Sequence, residues 1–256
     1  MSSQKLQLKT NMSVELDEPL TSDGCLKLIM EFLKYILYNK QQIPFSYDSL
    51  AQVQAKSKPT DRNFMNIGNF LDCLCDVSNH LNSQFYTDRC IVKEIIIIIG
   101  ATIFSPKFCI SMELPENILN SKLHSEYHHS SRKPLLNLMR SIVDCDAFQE
   151  ALNLPIGPTN TFVLVRKSDA NQLSTFFIPK PQYSFPLQSS SFHIRLDHSK
   201  DFQINCRCSS AIKVFHDSRK EFLLDLNLFD KSNSCESTRY QWYQARKVIK
   251  GFKFFR

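Results

Sequence analysis

The chain has 256 residues, 43% of them hydrophobic, with five Gly, 11 Pro and a net charge of +6. That length buries a full core, and so few Gly leave neither a long flexible linker nor a glycine-rich phosphate loop, which weighs against nucleotide and dinucleotide enzymes. Nine Cys at irregular positions predict free thiols in a reducing compartment rather than a disulfide framework.

Residues 1 to 20 show no sustained apolar period and predict a mobile tail, with one domain spanning 21 to 256. No apolar stretch follows Lys5 and Lys9, so nothing resembles a secretory leader, and an intracellular protein is expected. From Asp23, a candidate N-cap, Leu26, Ile29, Met30, Leu33, Ile36 and Leu37 recur at helical spacing until Pro44 ends the pattern. After Lys58-Pro59, a second stripe runs through Phe64, Ile67, Leu71, Leu74, Val77 and Leu81.

Residues 91 to 99, ending at Gly100, read as a central strand covered on both faces, and the Ile95 to Ile99 run is far too short to span a membrane. Phe108, Ile110, Met112 and Leu114 alternate as a half-buried strand. Ser131 is a candidate cap for a third helix, with stripe Leu135, Leu138, Met139, Ile142, Val143 and Ala147, limited by Pro155. Strands are expected at Phe162 to Val165, Phe202 to Cys208, Leu224 to Leu228 and along the basic C-terminal stretch Arg246 to Arg256. Helices early and strands late predict an α+β layer, three helices against a mostly antiparallel sheet.

No Gly-flanked nucleophilic Ser and no His-Glu-x-x-His helix appears, so no catalytic residue is assigned. A Cys-His nucleophile, for instance from Cys109, has no support in the pattern. Cys73/Cys75, Cys206/Cys208 and His128-His129 invite a zinc reading. Helical geometry turns Cys73 and Cys75 apart, and Cys206 and Cys208 continue the Phe202 and Ile204 strand face, so core packing is the expected role and no metal or cofactor is assigned. The C-terminal mixture of Lys, Arg and Phe offers an alternative class, a nucleic-acid-binding domain, but alternation would not put its cations on one side.

Several blocks resemble one known family. Asp23-Gly24-Cys25 through Tyr38-Asn39-Lys40-Gln41-Gln42-Ile43-Pro44 to Tyr47 and Leu50 is similar to the first helix of the comet family of Mad-two-binding proteins. Ile95 to Pro106-Lys107, Leu135 to Asp146-Ala147-Phe148, Phe177-Ile178-Pro179-Lys180, and Trp242-Tyr243-Gln244-Ala245 with Lys250-Gly251-Phe252 follow in the family's order. The resemblance covers about two-fifths of the chain.

It implies a HORMA-like fold with a C-terminal safety-belt-like segment, here Trp242, Tyr243, Gln244, Lys250, Gly251 and Phe252. It also implies a non-catalytic adaptor, monomeric on its own and acting in the nucleus and at the mitotic spindle. Such an adaptor binds closed Mad-two and presents it to a hexameric Pch-two-type AAA+ ATPase, with neither nucleic acid nor membrane as partner. Carried over by position, the Mad-two face comprises Tyr35, Asn39 and Gln42 at the end of the first helix and Leu136, Met139 and Arg140 on the third. Asn39 stands where the family uses Gln, and Met139 where it uses Phe. Pro179-Lys180 matches the pair that engages the ATPase.

Overall fold

The computed structural model describes residues 9–87, 90–124, 127–168, 174–185, 191–199, 208 and 240–254. In chain order these form β1 (Lys9–Leu16), α1 (Ser22–Asn39), α2 (Tyr47–Lys56), α3 (Phe64–Tyr86), β2 (Val92–Thr102) and β3 (Ser105–Glu113). There follow α4 (Arg132–Val143), α5 (Asp146–Asn153), β4 (Asn160–Ser168), β5 (Phe177–Pro179), β6 (Ser191–His198), β7 (Tyr240–Ala245) and β8 (Ile249–Lys250). The strands make one sheet in the order β1-β6-β3-β2-β4-β7-β5, with β8 also pairing β4. β6 runs parallel to β1 and β3, while every other pairing is antiparallel. The fold is α+β and HORMA-like, with five helices among the described residues rather than three.

Helical packing explains the central strand. Ile95, Ile97 and Ile99 face the main core with Phe32, Leu33, Ile36 and Leu37 of α1 and Ile67, Leu74, Val77 and Leu81 of α3. Ile96 and Ile98 point the other way into a smaller cluster with Cys109, Phe162, Leu164 and Tyr183. A strand apolar on both faces reads as an unbroken run, as β2 does. At the β2 to β3 turn, a Cβ on Gly100 would lie 2.6 Å from the Ser105 carbonyl oxygen, so the register shift there requires Gly.

Several expectations are corrected. Lys9–Leu16 is an edge strand and not part of a mobile tail; Val14, Leu16 and Leu20 are buried, so the domain begins before residue 21. Only alternate β1 residues reach the core, too few to mark the segment by composition. Thr21, not Asp23, caps α1: Thr21 is extended (φ −84°, ψ 163°) and its hydroxyl accepts from the Gly24 N–H at 3.0 Å. Asp23 lies in the first turn and accepts from the Tyr86 hydroxyl at 2.7 Å.

α2 went unexpected because Leu50 is its sole buried side chain, too little for a stripe. The third expected helix is two, α4 and α5, broken at Asp144-Cys145; Val143 is 59% exposed rather than on the buried stripe, and Ser131 makes no side-chain cap. β6, whose Phe192, Ile194 and Leu196 are buried and alternate with His193, Arg195 and Asp197, was not anticipated. In the basic C-terminal stretch the structure has only the two residues of β8 as strand, the longer strand being β7 just before it. The strands expected at 202–208 and 224–228 lie outside the described residues apart from Cys208. No described helix is long and apolar enough to cross a membrane.

Leu16 is fully buried in the main core, so Leu16→Ala is expected to cost about 2–5 kcal/mol. Urea unfolding followed by the fluorescence of Trp242, the chain's single Trp, measures it. A change below about 0.5 kcal/mol would mean that the first strand is dispensable.

Candidate partner-binding surface

The end of α1 is set by its closing turn. The Gln42 N–H bonds to the Leu37 carbonyl at 2.9 Å and the Gln41 N–H to the Tyr38 carbonyl at 3.0 Å, with Gln41 at φ 52°. This is the six-to-one, five-to-two pattern of a Schellman motif, built with Gln where Gly is usual. It turns the chain so that Lys40 and Gln42 point inward.

Gln42 is fully buried. Its amide nitrogen donates to the carbonyls of Lys40 and Ile156, both at 2.9 Å, and its amide oxygen accepts from the Thr159 N–H at 2.9 Å. Gln42 is therefore not available to a partner, which corrects its place on the expected Mad-two face. A buried amide cannot serve an interface while all its bonding capacity is used internally.

Lys40 is 2% exposed. Its ammonium donates to the Ala151 carbonyl and, at 2.9 Å, to the Leu154 carbonyl, and it lies 4.3 Å from the Phe108 ring centroid. It thereby neutralises the carbonyl end of α5 and ties that helix to α1.

Tyr35 and Asn39 are half-buried, and Tyr38 is 50% exposed. The Asn39 side chain donates to the Tyr35 carbonyl at 2.8 Å, inside its own helix. Tyr38, Asn39, Gln41, Ile43, Pro44, Phe252 and Lys253 line a concavity of about 430 Å³.

On α4, Pro134, Leu138 and Ile142 are buried while Leu136, Arg140 and Val143 are exposed, a line of i, i+4, i+7 positions on one outer face. Met139 flanks that face, half-buried against the main core. Val143 belongs to the surface that the sequence missed; the signal was the break at Asp144-Cys145, which ends the stripe one turn early. α4 is held beside β1 by the Lys133–Glu18 ion pair and by Asn137 donating to Asp17 at 3.1 Å. α5 packs on both α4 and α1 and so joins the two expected halves of the face.

Pro179 and Lys180 sit at the far edge of the sheet. Pro179 is exposed in edge strand β5, where its lack of an N–H costs no ladder bond, and the Lys180 N–H bonds to the Trp242 carbonyl at 2.7 Å. Of the safety-belt-like residues, Tyr243 is buried in β7 beneath the Lys167 ammonium, and Gln244 pairs with Leu164 and Ile178. Trp242 packs edge-on to Tyr183 at 5.8 Å. Lys250 pairs with Asn160, Gly251 lies against Gln42 and Thr159, and Phe252 packs on Phe70 at 5.8 Å.

The C-terminal rings are occupied in this way, Phe254 meeting Phe45 at 5.3 Å, and Lys247 pairs with Asp76. Base stacking on Phe252 or Phe254 would need these rings released, which weighs against the nucleic-acid alternative. Cys73 is buried and Cys75 exposed, turned apart on α3 as expected, and the seven described Cys form no disulfide. Cys206 lies outside the described residues, whereas Cys208 is buried with its sulfur 3.1 Å from His129 Nε2 rather than among apolar groups alone.

These surfaces can be set beside known proteins. The family model described as "p31comet: Mad1 and Cdc20-bound-Mad2 binding" matches residues 3–205. The chain belongs to the p31comet family. Among curated relatives, the human MAD2L1-binding protein is 27% identical over 249 residues, 92% of this chain and 77% of the human one. The mouse MAD2L1-binding protein is 25% identical over 247 residues, 91% and 76% of the respective chains. The family match includes β1, in keeping with its place in the sheet.

Burial pushes the Lys40 ammonium down from its ordinary 10.5 to about 8. The folded chain thus releases this proton before the unfolded chain does, so wild type should gain stability relative to Lys40→Met as pH rises from 8 to 10.5, with none of that gain below 8. Paired urea titrations at both ends of that window read the difference. A constant difference would mean that the ammonium is not desolvated in the fold.

Proposed function

We propose that this protein is a non-catalytic adaptor that binds closed Mad2, the Mad-two of the family resemblance, and presents it to a Pch-two-type AAA+ ATPase, promoting checkpoint silencing in the nucleus and at the mitotic spindle. Membership of a family described by Mad2 binding supports the first half. The observation that carries the second is topological. The outer face of α4 lies beside β1 at one edge of the sheet, and Pro179-Lys180 lies at β5 on the opposite edge. Two partners can then be held at once without competing for one surface.

The Mad2 face in this reading is Leu136, Met139, Arg140 and Val143 on α4, with Tyr35, Tyr38 and Asn39 at its margin. Leu136 and Val143 supply exposed apolar anchors and Arg140 a planar donor between them, the residue types that dominate interface energetics. Asn39 contributes only after its amide leaves the Tyr35 carbonyl, so it counts for less than the α4 residues.

Leu136→Ala with Arg140→Ala should weaken closed Mad2 binding about thirtyfold or more, equivalent to about 2 kcal/mol, and leave the melting temperature within a few degrees of wild type. Unchanged binding would remove α4 from the interface. The other edge is tested separately: Pro179→Ala with Lys180→Ala should keep Mad2 binding and abolish ATPase-driven conversion. Loss of Mad2 binding in that variant would mean that β5 supports the Mad2 face rather than a second partner.

A further inference from the structure

The loop between β3 and α4 carries His124, His128 and His129, and Cys208 lies beside it. His129 is 7% exposed and Cys208 3%, and the Cys208 sulfur lies 3.1 Å from His129 Nε2. A ring nitrogen of His124 joins them, and the three atoms lie within 4.8 Å of one another. The two imidazole rings meet edge to face with centroids 5.5 Å apart. A hydrogen-bonded Cys-His pair alone would not need a second imidazole aimed at the same point.

We propose that His124, His129 and Cys208 form a binding site for a zinc-class divalent transition metal. One thiolate and two imidazoles are a borderline-soft donor set suited to zinc, whereas calcium and magnesium prefer oxygen. Zinc bonds of about 2.3 Å to sulfur and about 2.0–2.1 Å to nitrogen give a tetrahedral sulfur-to-nitrogen edge of about 3.5 Å. The His129–Cys208 separation of 3.1 Å is near that edge, and the His124 nitrogen lies within 4.8 Å of both. Three protein ligands converge among the described residues, one fewer than the four of a tetrahedral zinc site.

Metal binding releases the Cys208 thiol proton to solvent. The occupied site would clamp the segment that leads through Ser131 into α4 against the segment that follows β6. The sequence put Cys208 and His129, but not His124, among the zinc candidates, and the apolar strand face expected for Cys206 and Cys208 assigned Cys208 to the core.

The test is a cobalt titration of the full chain after chelator treatment, in reducing buffer. One Co²⁺ per chain should bind with thiolate-to-cobalt charge-transfer absorption. Cys208→Ser should lose that absorption, and His124→Asn should weaken binding at least about tenfold without moving the metal-free melting temperature. Cys75→Ser, at an exposed thiol of α3, should change neither. Absence of the charge-transfer band, its persistence in Cys208→Ser, or equal affinity in His124→Asn would each overturn the site. Should Cys208→Ser fail to fold, the His124→Asn arm decides alone.

Discussion

Gln42 holds together three parts of the chain that are distant in sequence, two through its side-chain amide and the third through its main-chain carbonyl. It joins the last turn of α1 to the Ile156–Thr159 turn that launches β4, while the Gln42 carbonyl accepts from the Phe252 N–H at 2.8 Å. Its neighbours are shaped to it: a Cβ on Gly251 would lie 2.7 Å from the Gln42 amide oxygen and 3.0 Å from the Thr159 backbone. Removing the amide would take a partner from the Thr159 N–H and from the Lys40 and Ile156 carbonyls, and since an unsatisfied buried polar group costs about 1–3 kcal/mol, an apolar replacement of equal shape is no substitute. The C-terminal segment is docked on the α-helical face by the Phe252 N–H on the Gln42 main-chain carbonyl, the Gly251 N–H on the Thr159 carbonyl and the Phe252 ring on Phe70.

Lys40 extends the same logic by one residue. Its charge is buried, yet it meets two carbonyls at the end of α5 and the face of Phe108. Gln42 and Lys40 together fix the end of α1 relative to α5, and α5 in turn supports α4. The outer face of α4 is therefore positioned by polar contacts made well beneath it. A rigid, preorganised helix face binds with less entropy loss than one that must be ordered on contact.

Legibility in the sequence followed the strength of each local pattern. α1, α3 and β2 were readable because many apolar side chains repeat at one period or fill one run, and the family blocks ran in the same order. α2 was not, since it buries Leu50 alone, and β1 was not, since an edge strand shows the core only alternate residues. β6 carried a readable alternation, with Phe192, Ile194 and Leu196 against His193, Arg195 and Asp197, and the polar half of that pattern masked it. Of the expected partner face, the α4 positions lie at or beside its exposed side, whereas Gln42 does not. Position along a helix tells which side a residue takes; it cannot tell that a chain has turned inward three residues after the helix ends. Of the His124–His129–Cys208 group, His129 and Cys208 were legible as zinc candidates, but their meeting across some 80 residues, and the part of His124, leave no spacing to read.

Met139 shows why the α4 surface and the core cannot be treated as separate inventories. It is half-buried, touching the main cluster on one side and the exposed line of Leu136 and Val143 on the other. An unbranched thioether fills an irregular gap and re-packs at low cost, which suits a position that answers to both environments. A Phe, the residue the family resemblance places there, is larger and stiffer and would present more area to a partner while demanding more of the core. The helix is short, with Pro134, Leu138 and Ile142 as its buried anchors, so it has little packing to spare. Met at this position keeps the helix seated with a smaller exposed anchor, and Leu136 and Val143 then take a larger share of whatever contact the face makes.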